Sequence, residues 1–227
     1  MQIFPVVHLS DFDNGLEQAE IALAANADGV YLIDHSGRTD RLVAVANALT
    51  TRAPGAFIGV NLLGYSAAGA ATYLVDAITS GLLSRAPNGL WIDDVSPTDS
   101  AMAIKRANAT LATTQILGGI AFKYTPTFTE EPTAAAAEVV RLRDEVDVVT
   151  TSGAGTGTPP TPAKISAMAA AAGRRPLAVT SGLAAENLAD YADAIDQVLV
   201  ASSVETAPYS GIFDTPRLTA MIAAAHA

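Results

Sequence analysis

The chain has 227 residues, half of them apolar, with 13 basic and 23 acidic side chains and no cysteine. That length and apolar fraction suit one large α/β domain, residues 1–227, better than two small ones. The missing cysteines exclude disulfides and thiolate metal sites, and a net charge of −10 argues against a sequence-independent nucleic-acid binder, which needs a basic footprint.

Short β-branched runs alternate with longer helical stretches throughout. The first run is Ile3 to Leu9, followed by a helical segment from about Asn14 to Asn26. Gly29 to Asp34 then leads to a helix from Asp40, and Ala56 to Leu63 to a helix from Ser66. The fourth strand is Gly89 to Asp93, with a helix beginning near Thr98. Gln115 to Lys123 is the fifth, trailed by a helix over Glu130 to Glu145, and Val146 to Ser152 the sixth, with a helix from Pro162. Proline is permitted in that first turn because its missing N–H has no helical partner there anyway. Pro176 to Gly182 and Gln197 to Ser203 complete the set, carrying helices from Ala185 and Pro216. Strand then helix, repeated eight times at roughly 28 residues per unit, predicts a (β/α)₈ (TIM) barrel. A doubly wound open sheet is the competing arrangement.

The opening MQIFPVVHLSDFD lacks the basic and apolar regions of a signal peptide. No segment approaches the roughly 20 continuous apolar residues that span a bilayer. A cytoplasmic protein without membrane insertion is therefore expected, and a homo-oligomer is left open.

Barrel chemistry gathers where the C-terminal strand ends form one rim. Those ends carry His8, Asp34, Asn61, Asp93 with Asp94, Lys123, Thr151 with Ser152, Ser181, and Ser202 with Ser203. Side-chain alternation would put Gly119, Ala121 and Lys123 on the inner face of the fifth strand, opposite Ile120 and Phe122. Lys123 can then clamp an anionic substrate, form a Schiff base, or pair with Asp93, Asp94 or Asp34. Asp34 and Asp93 are candidates for general base and acid, and His8 for a proton shuttle. His8, Asp34, His35 and Asp93 have no diagnostic metal spacing, so no metal is assigned.

The segment Thr150 to Pro160 holds three glycines but lacks the lysine of a P-loop and the spacing of a dinucleotide fingerprint, so no cofactor is assigned. It reads as a lid or a long turn, with Thr151, Ser152, Gly153 and Gly157 joining Asn61 as candidate substrate contacts. Thr180-Ser-Gly-Leu precedes a predicted helix, and Ala201-Ser-Ser-Val-Glu-Thr follows the last strand. Barrel phosphate sites recur in these two loops, which makes Ser181, Gly182, Ser202 and Ser203 candidate phosphate ligands; helix capping is the plainer alternative.

From Gly119 onward the chain resembles the BtpA/SgcQ family of barrel proteins. The resemblance rests on Ala121-Phe-Lys123, Asp147-Val-Val-Thr-Thr-Ser-Gly with Thr156-Gly-Thr-Pro-Pro, Ser181-Gly-Leu-Ala-Ala-Glu-Asn, Val200-Ala-Ser-Ser and Phe213-Asp-Thr-Pro-Arg217. Val6-Val-His-Leu9 and Gly59-Val-Asn61 look like the family's first and third strands. The chain departs from the pattern in its short loop after His8, in Ile33-Asp-His35 closing the second strand, and in Tyr124, where the family has histidine. One branch of that family is linked to photosystem I biogenesis and another to sugar metabolism. The resemblance thus implies either an enzyme on a phosphorylated or anionic small sugar-type metabolite or a non-catalytic assembly factor. The Gly-Leu-x-x-Glu-Asn and Ser-Ser-Val-Glu patterns also look like phosphoribosylanthranilate isomerase, whose first strand carries a catalytic cysteine that this chain lacks.

Overall fold

In the computed structural model, which describes residues 1–227, eight parallel strands close into a barrel in sequence order. They are β1 (Gln2–His8), β2 (Gly29–Ile33), β3 (Phe57–Asn61), β4 (Gly89–Ile92), β5 (Gln115–Gly119), β6 (Val148–Thr151), β7 (Leu177–Val179) and β8 (Gln197–Val200). Direct pairing of β1 with β8, Gln2 opposite Gln197 and Pro5 opposite Val200, excludes the open-sheet alternative. Seven α-helices surround the barrel: α1 (Phe12–Ala24), α2 (Thr39–Arg52), α3 (Ala67–Thr79), α4 (Ala101–Ala107), α5 (Pro132–Leu142), α6 (Pro162–Ala172) and α7 (Thr215–His226). None is long and apolar enough to cross a membrane.

The alternation of side chains along each strand builds two cores. Ile3, Val7, Val30, Leu32, Leu90, Ile116 and Val198 face the helices in one buried cluster, whereas Phe4, Val6, Tyr31, Ile33, Trp91, Leu117, Val148 and Leu199 fill the barrel. The interior holds the Tyr31 ring only because two inward positions are glycine. A Cβ on Gly59 would lie 2.2 Å from the Tyr31 ring, and one on Gly89 would lie 2.2 Å from its hydroxyl. Helix starts follow local chemistry. Glu131, Thr161 and Asp214 cap α5, α6 and α7 with side-chain oxygens, and each of these helices has proline in its first turn.

Two expectations are corrected. The seventh unit has no α-helix at Ala185; a single 3₁₀ turn at Leu188–Tyr191 stands in its place. The segment closes i→i+3 bonds, Asn187 N to Ala184 O at 3.1 Å and Asp190 N to Asn187 O at 3.2 Å, while the Asn187 side chain accepts from Ala184 N at 2.9 Å and donates to Gly182 O at 3.0 Å. The fifth strand stops at Gly119 instead of running to Lys123, and Ala121 adopts φ 48°. Alternation is lost there: Ala121 lies in the outer core and Phe122 in the barrel interior, the reverse of the predicted faces. Gly119 does face inward, where a Cβ would meet Asp93 O at 1.9 Å.

Candidate active site at the C-terminal mouth

The C-terminal strand ends enclose a cavity of about 620 Å³. Of the residues singled out from sequence, His8, Asp93, Lys123, Gly157, Ser181, Gly182, Ser202 and Ser203 line it. Asn61 instead lines an adjoining chamber of about 270 Å³ that shares Leu63, Trp91 and Asp93 with the first. Its amide donates to Asp93 Oδ1 at 3.1 Å.

Asp34 does not line the cavity. Its carboxylate accepts from Arg41 Nε at 2.7 Å and from the backbone and hydroxyl of Ser36 at 2.9 and 2.6 Å. Burial pushes its pKa up, but these hydrogen bonds and the Arg41 charge together bring it below the usual carboxylate value. Thr151, Ser152 and Gly153 are likewise buried scaffold. Ser152 Oγ accepts from Lys123 N at 2.8 Å, and Gly153 N donates to Ser181 Oγ at 3.0 Å. The fully buried Lys164 of α6 ties this region together, donating to Ala121 O at 3.0 Å, Ser152 O at 2.7 Å and Glu130 at 3.3 Å. Sequence reasoning missed it because a lysine in a helix's first turn ordinarily faces water.

Lys123 reaches the mouth from the loop after β5. It makes no ion pair with Asp34 or Asp93; its Nζ donates to Thr156 Oγ1 at 3.4 Å and lies 5.7 Å from the Tyr124 ring centroid. Burial lowers its pKa, opposed by the nearby Tyr124 and Asp93. Burial also raises the pKa of Asp93, opposed by Asn61 and the Lys123 charge. An acid whose pKa is raised and an amine whose pKa is lowered thus share the cavity, the kind of matched environment that proton transfer uses.

His8 has a partner that the sequence did not reveal. Its Nδ1 lies 2.8 Å from Oε1 of Glu205, a carboxylate with no exposed surface. Glu205 also accepts from Tyr209 N at 2.8 Å and Gly211 N at 3.3 Å. A carboxylate accepts, so Nδ1 carries a proton toward Glu205, while Nε2 has no partner within the chain. The His35 and Tyr209 rings flank His8 at 5.0 and 5.3 Å. Tyr209 also donates from its hydroxyl to Thr156 Oγ1 at 2.7 Å, joining the loops after β6 and β8 across the mouth.

On the β7–β8 side, the backbone N–H groups of Gly182, Leu183, Ser202 and Ser203 donate to no acceptor within the chain. The Ser181 hydroxyl is engaged with Gly153 N and Thr158 O. Gly182 owes its identity to its neighbours in the chain: with φ 71°, a Cβ would sit 2.0 Å from Pro159 N. A bulky substitution there would disrupt the packing of two loops, not merely block a ligand.

No protein-family model matches the chain, and no curated protein matches it. Among solved structures it is similar to phosphoribosyl anthranilate isomerase from Thermus thermophilus, at 18% identity and TM-score 0.69 over 99% of this chain and 98% of that one. It is also similar to orotidine 5'-phosphate decarboxylase from Pyrococcus horikoshii, at 13% identity and TM-score 0.70 over the whole of both chains. A native KDPGal structure matches at 12% identity and TM-score 0.65, over 100% of this chain and 95% of that one. At such identities the likeness is one of fold, and these relatives place the chain among the TIM barrels.

Proposed function

We propose that the chain is an enzyme acting on a phosphorylated small metabolite, with the phosphate held between the loops after β7 and β8. One observation carries this reading: a single cavity brings unpaired backbone N–H groups together with His8, Asp93 and Lys123. Backbone N–H groups bind phosphate without needing a net positive chain, which fits a charge of −10. In this reading His8 Nε2 removes a proton with Glu205 holding the imidazole, Asp93 donates one, and Lys123 stabilises negative charge that develops between them. The solved neighbours named for phosphorylated small molecules and the BtpA/SgcQ-like motifs, one branch of which sits in sugar metabolism, support the same direction. The glycine loop bearing Thr156 and Gly157 serves as the cover, since it meets the Tyr209 loop above the mouth.

The test is thermal unfolding of the wild-type chain and a Lys123→Met variant with inorganic phosphate and a panel of phosphate esters. A ligand at tenfold its Kd adds about 1.4 kcal/mol, or about 3–6 °C for a domain of this size. Lys123→Met should keep the unliganded Tm within about 2 °C and lose most of the response to esters. A wild-type chain that responds to none of them would overturn the proposal.

A further inference from the structure

We infer that the metabolite is a phosphomonoester carrying a planar, largely apolar ring and not simply a hydroxyl-rich sugar; this rests on the phosphate reading above. In the closed ring of strands, the β7–β8 loops stand across the barrel from the β3–β4 side. The N–H groups and the Ser202 and Ser203 hydroxyls come from the β7–β8 side, beside Leu183, Leu199 and Val200, whereas Ile33, Leu63, Trp91 and Phe122 wall the other side. Below the rim, Asp93 is the ionisable group on that far wall, and one of its oxygens already accepts from Asn61. Sugar hydroxyls pressed against Ile33, Leu63 and Phe122 would lose water without gaining partners, whereas a flat apolar ring would lose nothing there.

The rim has the same character. Tyr124 and Tyr209 both line the cavity with large exposed surfaces, 79% and 53%. Both hold left-handed backbone conformations, φ 64° and 60°. Non-glycine residues adopt that region at a cost, and the local payoff here is two aromatic side chains set at the mouth. The volume of about 620 Å³ also falls in the range that encloses a drug-sized ligand, with room well beyond a phosphate group.

Trp91 is the only tryptophan in the chain, so its emission reports on the far wall directly. The experiment titrates the full chain with inorganic phosphate, ribose 5-phosphate and phenyl phosphate, by calorimetry and by Trp91 fluorescence. Phenyl phosphate should bind at least about ten-fold tighter than either of the others and shift the emission, because the ring adds buried apolar area. Inorganic phosphate should leave the emission unchanged. Leu63→Asn should remove the ring's ten-fold advantage without altering the affinity for inorganic phosphate, and Leu63→Ala serves the same purpose if the asparagine variant misfolds. If inorganic phosphate binds but phenyl phosphate is no tighter than ribose 5-phosphate, the ring assignment is wrong while the phosphate reading survives. Tight phenyl phosphate binding with silent Trp91 emission and no effect of Leu63 variants also overturns it. If none of the three binds, the phosphate reading itself fails and takes this inference with it.

Discussion

Removing the carboxylate of Glu205 tests the best-organised polar group at the mouth. The side chain has no exposed surface. Its Oε1 accepts from His8 Nδ1 at 2.8 Å and Gly211 N at 3.3 Å, and its Oε2 from Tyr209 N at 2.8 Å. Glu205→Ala strands all three donors, and breaking a buried charge-assisted arrangement by deleting one partner costs about 3–5 kcal/mol. At roughly 2–4 °C per kcal/mol, Tm should fall by about 6–20 °C. Glu205→Gln keeps one acceptor oxygen but turns an NH₂ group toward a backbone or imidazole N–H, so an intermediate loss of about 1–3 kcal/mol is expected. Urea denaturation gives the energies, and ¹⁵N spectra of the imidazole give the tautomer. Wild-type His8 should be protonated at Nδ1, and Glu205→Ala should show a mixture of the two tautomers. An alanine variant within about 0.5 kcal/mol of wild type, with the tautomer unchanged, would refute the assignment.

Two further perturbations should stabilise the protein. Burial raises the folded pKa of Asp93 above its ordinary 3.8, so its ionisation opposes folding and stability is lost as pH rises through the folded value. Asp93→Asn retains an oxygen for the Asn61 amide and should be more stable than wild type at pH 7, the gap closing as pH falls toward 3.8; urea midpoints across that range that never diverge would exclude the argument. The Tyr31 hydroxyl is buried without a hydrogen-bond partner. Because an unpaired buried hydroxyl costs about 1–3 kcal/mol, Tyr31→Phe should raise Tm by about 2–12 °C, and a loss beyond about 1 kcal/mol would mean that the hydroxyl is hydrogen-bonded after all.

The barrel was legible because short apolar runs alternate with helical stretches eight times along the chain, and those runs are buried on both faces, as parallel strands inside a ring of helices are. What failed was local. The helix predicted from Ala185 shortens to one 3₁₀ turn closed by i→i+3 bonds, an outcome that an alanine-rich pattern does not display. Lys123 reaches the mouth for a reason that alternation could not supply, since the left-handed Ala121 resets the direction of the chain after Gly119. At the site, strand-end reasoning found His8 and Asp93 but grouped them with Asp34, which Arg41 holds outside the cavity. It passed over Glu205, whose contact with His8 joins positions 197 residues apart and leaves no mark on local spacing. Tyr209 was invisible for the same reason: its partners, Thr156 and His8, lie on loops after other strands.

The sequence distance between His8 and Glu205 also has a temporal meaning. A ribosome adding about 5–20 residues per second leaves His8 waiting roughly 10–40 s for its carboxylate. During that interval β1 lacks its β8 neighbour as well, because the same closing stretch of chain supplies both. The imidazole is therefore unmatched for as long as the sheet has open edges, and it acquires its fixed tautomer only when the ring closes. A nascent or arrested chain cannot carry out the proposed chemistry early. Competence arrives with the last strand, which makes the His8 environment a sensor of completed folding that a spectroscopist could follow in real time.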